Sequence, residues 1–218
     1  MDMVLSAVEV RVLGALMEKE VTTPEYYPLS LNALINACNQ KSNRDPVMNL
    51  EESEVVRAIE SLREKKMVWQ LSTASGRVPK FEHNIRSLFS FSEQESAVLS
   101  VLLLRGPQTV GEIKNRTERL YRFGSLNEVE ETIKKLQSDE NSGPFVVELP
   151  RQPGQKENRY MHLFSGEPKI EYDVQEMAGA VSGNRNSRID DLENDVKMLK
   201  EELAELRTVV EDLRKYIE

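Results

Sequence analysis

The feature that most restricts the fold is a repeat. Shifting the sequence by 86 residues lays Ser6, Glu9, Val12, Leu13 and Leu16 on Ser92, Glu95, Val98, Leu99 and Leu102. In both copies the apolar residues recur at helical spacing and begin after a Ser-x-x-Glu, the reciprocal cap in which serine and glutamate each satisfy a free backbone N–H. A shift of 74 lays Val55, Ile59 and Leu62 on Val129, Ile133 and Leu136, with caps expected from Asn49 with Glu52 and from Ser125 with Glu128. A shift of 79 pairs Lys80, Phe81 and His83 with Arg159, Tyr160 and His162. The drop from 86 to 74 gives the first copy about twelve extra residues, and Asn39 to Leu50 is their expected place. Two histidines at equivalent points of a duplicated unit favour packing or a turn over ligation.

Each copy reads as three helices followed by two strands. In the first these are Ser6 to Glu20, Ser30 to Asn39 and Leu50 to Lys66, then Val68 to Ser72 and Val78 to Asn84. In the second they are Ser92 to Arg105, Thr109 to Thr117 and Leu126 to Ser138, then Phe145 to Leu149 and Arg159 to Leu163, with stops at Gly106-Pro107 and Gly143-Pro144. Three helices closed by a hairpin is the winged-helix plan, a variant of helix-turn-helix. The expected fold is therefore mainly α, of the α+β kind: two tandem winged-helix domains, 1–85 and 86–165. Trp69 alternates with Val68 and Leu71 in a β-rich run and is expected to cover the core.

After a linker, 166–187, rich in Gly and polar residues, the chain turns to heptads. Ile189, Leu192, Val196, Leu199, Leu203, Leu206, Val210, Leu213 and Ile217 alternate at spacings of three and four. Mostly β-branched residues at a with leucine at d favour two parallel strands. For parallel chains, Arg188 meets Glu193, Asp195 meets Lys200 and Glu202 meets Arg207, leaving only Val209 with Arg214 uncharged on one side. Residues 188–218 are thus expected to form a parallel coiled coil that makes the protein a homodimer; the alternative is a helix folded back on its own chain.

Composition narrows the function classes. Of the formal net charge of −8, residues 1–85 supply −2, residues 86–166 none and residues 167–218 supply −6. The repeated part is near neutral, so a polyanionic partner is allowed, although nucleic-acid binders are usually more basic. One cysteine and two histidines give neither a disulfide nor a Cys/His zinc site. No apolar run exceeds four residues, against the ~20 needed to cross a bilayer, and no secretion leader is seen at Met1. The expectation is a cytoplasmic protein with no metal, no cofactor and no membrane partner.

The segment Tyr26-Tyr27-Pro28-Leu29-Ser30-Leu31-Asn32-Ala33-Leu34-Ile35-Asn36-Ala37-Cys38-Asn39-Gln40-Lys41-Ser42-Asn43-Arg44-Asp45-Pro46, with the hairpin region around Arg77 to His83, resembles the signature of the YceH-like family of uncharacterised bacterial proteins. The resemblance covers residues 4–165 and implies a pair of winged-helix domains in a cytoplasmic bacterial protein. It implies no activity.

No catalytic constellation is visible. Cys38 has only Lys41 as a nearby basic residue, and there is no phosphate loop, His-Glu-x-x-His or serine elbow. A nucleic-acid reading has more to work with. Asn39, Gln40, Lys41, Asn43 and Arg44 crowd the inserted turn, and amide and guanidinium groups can read base edges; equally, such residues satisfy backbone groups in a long loop. Lys114, Arg116, Arg119 and Arg122 cluster in the second copy, where Arg151, Lys156 and Arg159 flank the hairpin, and Arg77 and Lys80 flank the first. These are either phosphate contacts or a solvated face partly neutralised by Glu112 and Glu118. Against DNA stand the third helices, whose leading turns carry Glu51, Glu52 and Glu54 in one copy and Glu128, Glu130 and Glu131 in the other. The expected function is DNA-associated regulation by a dimer bound to double-stranded DNA; the alternative is a protein-interaction adaptor, and catalysis is not expected.

Overall fold

Capping fixes where the helices start. In the computed structural model, which describes residues 4–71, 78–138, 143–151, 154–155 and 157–167, Ser6 opens α1 (Ala7–Thr22) with the full reciprocal box: its Oγ accepts the Glu9 N–H and the Glu9 carboxylate accepts the Ser6 N–H at 2.7 Å. The first copy continues through a 3-10 turn (Pro24–Tyr26), β1 (Leu29–Ser30), α2 (Leu31–Cys38), α3 (Glu52–Glu64), β2 (Val68–Leu71) and β3 (Lys80–His83). A short connector, α4 (Ile85–Phe89), leads to α5 (Glu93–Arg105), α6 (Val110–Arg116), α7 (Leu126–Gln137), β4 (Val146–Leu149) and β5 (Arg159–His162). The described residues thus form a mixed, mostly helical α+β structure with small antiparallel sheets.

Ser92 with Glu95 repeats the box at α5. Two caps differ from expectation. At α3 the pair is Glu51 with Glu54, not Asn49 with Glu52. At α7 Ser125 accepts the Glu128 N–H, but the Glu128 carboxylate turns to the Gly124 N–H at 2.8 Å instead of closing the box. The extra residues of the first copy are also divided differently. The cap residues Ser30 and Thr109 stand 79 apart, so seven of the twelve fall before α2, around the 3-10 turn, and only five between α2 and α3.

The repeat is exact at the sheets. In the first copy the strand order is β1-β3-β2, with Leu29 opposite Phe81. In the second β4 pairs β5, and an isolated bridge between Gln108 and Tyr160 takes the place of β1. Moving Leu29 and Phe81 by 79 residues gives that bridge. Trp69 departs from expectation: alternation along β2 buries Val68, and Trp69, on the opposite face, is 51 % exposed.

The two copies share one core. Every residue of α1 from Glu9 to Glu18 is buried, as is every residue of α5 from Ala97 to Leu104. Helices buried on all sides are central elements, which explains their lack of a polar stripe. They meet at Gly14, where an added Cβ would lie 3.0 Å from Leu103 Cβ and from the Leu104 side chain, so any larger residue would force α5 to give way by a few tenths of an ångström. Glu9 sits inside this arrangement; burial alone would raise its carboxyl, but the Lys65 ammonium, the Ser6 N–H and the Ser61 hydroxyl outweigh that and hold it at about 2.

The histidines pack, as expected. His83 stands opposite Val68 and His162 opposite Val146. His83 Nε2 lies 3.0 Å from the Glu20 carboxylate, and its backbone N–H donates to Tyr27 Oη at 2.8 Å. His162 is 4 % exposed beside Phe164, and burial pushes it down from 6.5 to about 4. Because the unfolded chain takes up this proton first, His162 is expected to leave stability unchanged above pH ~6.5. Below that it removes stability progressively as pH falls toward 4, by about 3 kcal/mol in full. Urea unfolding of His162→Phe between pH 7 and 4.5 should lose that portion of the slope; an unaltered slope would refute the assignment.

Candidate nucleic-acid interface

The turn after α2 is built from inside. A helix leaves its last carbonyls without partners, and here two buried guanidinium groups take them. Arg11 donates to the Cys38 carbonyl at 3.1 Å and to that of Pro46 at 2.6 Å. Arg44 donates to the Ala37 carbonyl from Nε at 3.1 Å and from Nη2 at 2.8 Å, and forks onto the Glu18 carboxylate at 3.2 and 2.6 Å. The Asn39 amide clamps the ends of the turn, donating to the Leu50 carbonyl at 2.9 Å and accepting the Leu50 N–H at 2.8 Å. Arg44 and Asn39, two candidates for base reading, are therefore spent on the protein itself, with Arg44 only 5 % exposed. Cys38 lies beneath, its thiol pushed up to about 12 by burial despite Arg44 and Arg11, which leaves no thiolate at neutral pH.

With Arg44 turned inward, Gln40, Lys41, Ser42 and Asn43 form one wall of a groove of about 650 Å3. The C-terminal half of α1 brings Glu18, Lys19 and Thr22, and that of α5 brings Ser100, Leu104 and Arg105. The stretch at the end of α6 and beyond brings Asn115, Arg116, Glu118 and Arg119. The turn is fastened to α5: Arg105 donates to Asn43 Oδ1 at 2.6 Å and the Asp45 N–H donates to the Leu104 carbonyl at 2.9 Å. Candidates from both copies thus meet in one place.

The groove is cationic within an acidic protein. Lys19, Lys41, Arg105, Arg116 and Arg119 face two carboxylates, and Glu18 is already forked by Arg44. Burial and the neighbouring Arg116 push the Arg105 guanidinium down, the mark of cations crowded together. Lys41 and Arg119 are exposed and enter no ion pair among the described residues. Ser100 Oγ is buried, lines the groove and lacks a hydrogen-bond partner among the described residues.

The remaining candidates lie elsewhere. Arg159 donates to the Pro107 carbonyl and to Glu112, both at 2.9 Å, and so braces the second hairpin; Arg116 shares Glu112 at 3.5 Å. Lys80, Lys114, Arg122 and Arg151 do not line the groove. Arg77 and Lys156 fall outside the described residues, as do residues 168–187 of the expected linker and every heptad position from Ile189 to Ile217. Lys19 and Arg105 were missed, although a signal existed: they stand 86 residues apart, equivalent positions in the last turns of α1 and α5. Among the described residues no group of acidic, Cys or His side chains could hold a metal ion, and no helix is long and apolar enough to cross a membrane.

Comparison with known proteins adds kinship. A family described as "Protein of unknown function, DUF480" matches residues 5–155. A UPF0502 protein of Geotalea daltonii is 57% identical over 169 residues, covering 78% of this chain and 76% of its own. One from Geobacter sulfurreducens is 50% identical over 224 residues, covering 100% of both chains. One from Vibrio atlanticus is 46% identical over 218 residues, 98% of this chain and 100% of its own.

Proposed function

The chain belongs to the DUF480 family of UPF0502 proteins, as its Tyr26–Pro46 segment suggested, and on that premise we propose that it is a DNA-associated, regulator-like protein built of two winged-helix modules. The reading rests on one observation: five cations drawn from both copies converge in a single groove of an otherwise acidic protein. The element order, with β1 and β2 on either side of β3, is the order a winged helix uses. Phosphate contacts supply most non-specific affinity and need cations, not base readers, which suits a groove whose Lys41 and Arg119 enter no ion pair among the described residues. Dimerisation through the heptads at 188–218 would double those contacts on one duplex. One observation favours the adaptor reading: the leading turns of α3 and α7 carry carboxylates, where a major-groove helix would meet phosphates. We therefore place the backbone contacts on the groove and not on α3 or α7, and assign no catalysis.

A labelled mixed-sequence duplex titrated at several salt concentrations tests this. Neutralising about five phosphates per chain gives a log–log slope near −4.5. Ending the chain at Gly183 should reduce the sedimenting species from dimer to monomer and weaken binding while leaving the per-chain slope. Absence of saturable binding at low salt would hand the function to the adaptor reading.

A further inference from the structure

The chain's one tryptophan lies on an edge strand of the described sheet. The sheet order puts β2 at a margin, and the Asn84 N–H donates to the Met67 carbonyl at 2.8 Å. Ladder bonds of an antiparallel pair recur at every second residue, so from that rung Trp69 and Leu71 bond to β3 while the N–H and C=O of Val68 and Gln70 point outward. Among the described residues nothing takes up those four groups. Natural edges are usually guarded by Lys, Pro or a bulge, and the sequence Val68-Trp69-Gln70-Leu71 has no such guard.

Beside this edge runs a groove of about 610 Å3, with Glu60, Arg63 and Glu64 of α3 on one bank and Trp69 and Leu71 on the other. Glu82 stands opposite Trp69 in the sheet. Lys80 stands opposite Leu71 on the same face, so three carboxylates meet two cations, Arg63 and Lys80; none of the five is in an ion pair among the described residues, and the balance around the aromatic face stays negative. The fold does not require this. At the same register the second copy places Val147 opposite Met161, with neither the aromatic nor the acid.

We propose that the β2 edge is a docking site for an extended basic peptide segment of another protein. The segment adds as a fourth strand on the outward groups of Val68 and Gln70, and a Lys or Arg side chain lies over the Trp69 indole between Glu60 and Glu64. The site is separate from the cationic groove, and its test does not depend on DNA binding.

Trp69 is itself the reporter, being the sole tryptophan. Titrating the full chain with an alternating Lys/Val octapeptide should give a saturable blue shift of its emission, and the Glu/Val octapeptide should bind at least tenfold more weakly. Gln70→Pro removes an outward N–H at a position where an edge strand tolerates proline, and should weaken Lys/Val binding at least tenfold. Should that variant fail to fold, Glu60→Lys with Glu64→Lys should reverse the preference toward the Glu/Val peptide. The proposal is overturned by no shift with Lys/Val, by equal response to both peptides, or by a preference untouched in the charge-reversed variant. It is also overturned by saturation with an oligo-dT strand instead, which would make this a base-stacking surface, or by a shift that follows protein concentration alone, which would mean a second copy fills the edge.

Discussion

Arg44→Met is expected to destabilise the protein by about 3–5 kcal/mol, although the residue sits in what reads as a surface loop. The Arg44 side chain is fully buried and that of Glu18 is 11% exposed, so the Coulombic attraction between them is little screened. Removing the guanidinium leaves the Glu18 carboxylate without its fork and takes from the Ala37 carbonyl two of its donors. Arg11, two turns earlier on α1 than Glu18, does not replace Arg44, because its Nη1 and Nη2 already donate to the Cys38 and Pro46 carbonyls. For a domain of this size the loss corresponds to a fall in Tm of roughly 10 °C. Lys41→Met, three residues away and exposed, should change stability by no more than about 0.5 kcal/mol. Urea midpoints of the two variants separate the cases. A double variant, Glu18→Met with Arg44→Met, should recover part of the loss, since without Arg44 the largely buried Glu18 carboxylate keeps only Lys19, at 3.6 Å, as its counter-ion. If Arg44→Met behaves like Lys41→Met, the turn is not held from within and the shape of the groove wall has another cause.

The contrast between these two neighbours shows what the sequence could carry. Helices were legible because their causes are local: Ser6 with Glu9 and Ser92 with Glu95 lie three residues apart, and the apolar spacing behind them is a property of one segment. The equivalence of the two hairpins was legible because a duplicated pattern marks matching positions, and the structure puts His83 and His162 at the same place in each, opposite Val68 and Val146. The burial of Arg44 was not legible, since it depends on Glu18, 26 residues earlier and on another helix. Trp69 was misplaced for a related reason: alternation tells which face a side chain takes, not whether another element covers that face. The groove needed both copies folded against each other before Lys19, Lys41 and Arg116 could be neighbours, even though the shift of 86 already linked Lys19 to Arg105.

Replacing Arg116 and Arg119 together should have the largest effect on DNA. With Gln at both positions, two of about five phosphate contacts vanish, and the salt slope should fall from near −4.5 to about −2.7. With Glu at both, repulsion is added to the loss, and affinity at low salt should drop by about a hundredfold, equivalent to some 2.7 kcal/mol. Arg116 also touches Glu112 at 3.5 Å, but that pair is about a third exposed and spans one helical turn, and Arg159 remains on the same carboxylate. Its removal costs little stability, so thermal unfolding should show the variants folded. The informative control lies on α7. Glu130→Gln with Glu131→Gln removes two exposed carboxylates from the turn that a major-groove helix would present. If the groove holds the backbone, this change should raise affinity less than about threefold, the residual being long-range field that added salt erases. If instead the α7 pair raises affinity tenfold or more while the groove variants bind as before, the duplex lies along the third helix. The convergence of cations between the copies would then belong to some other anion.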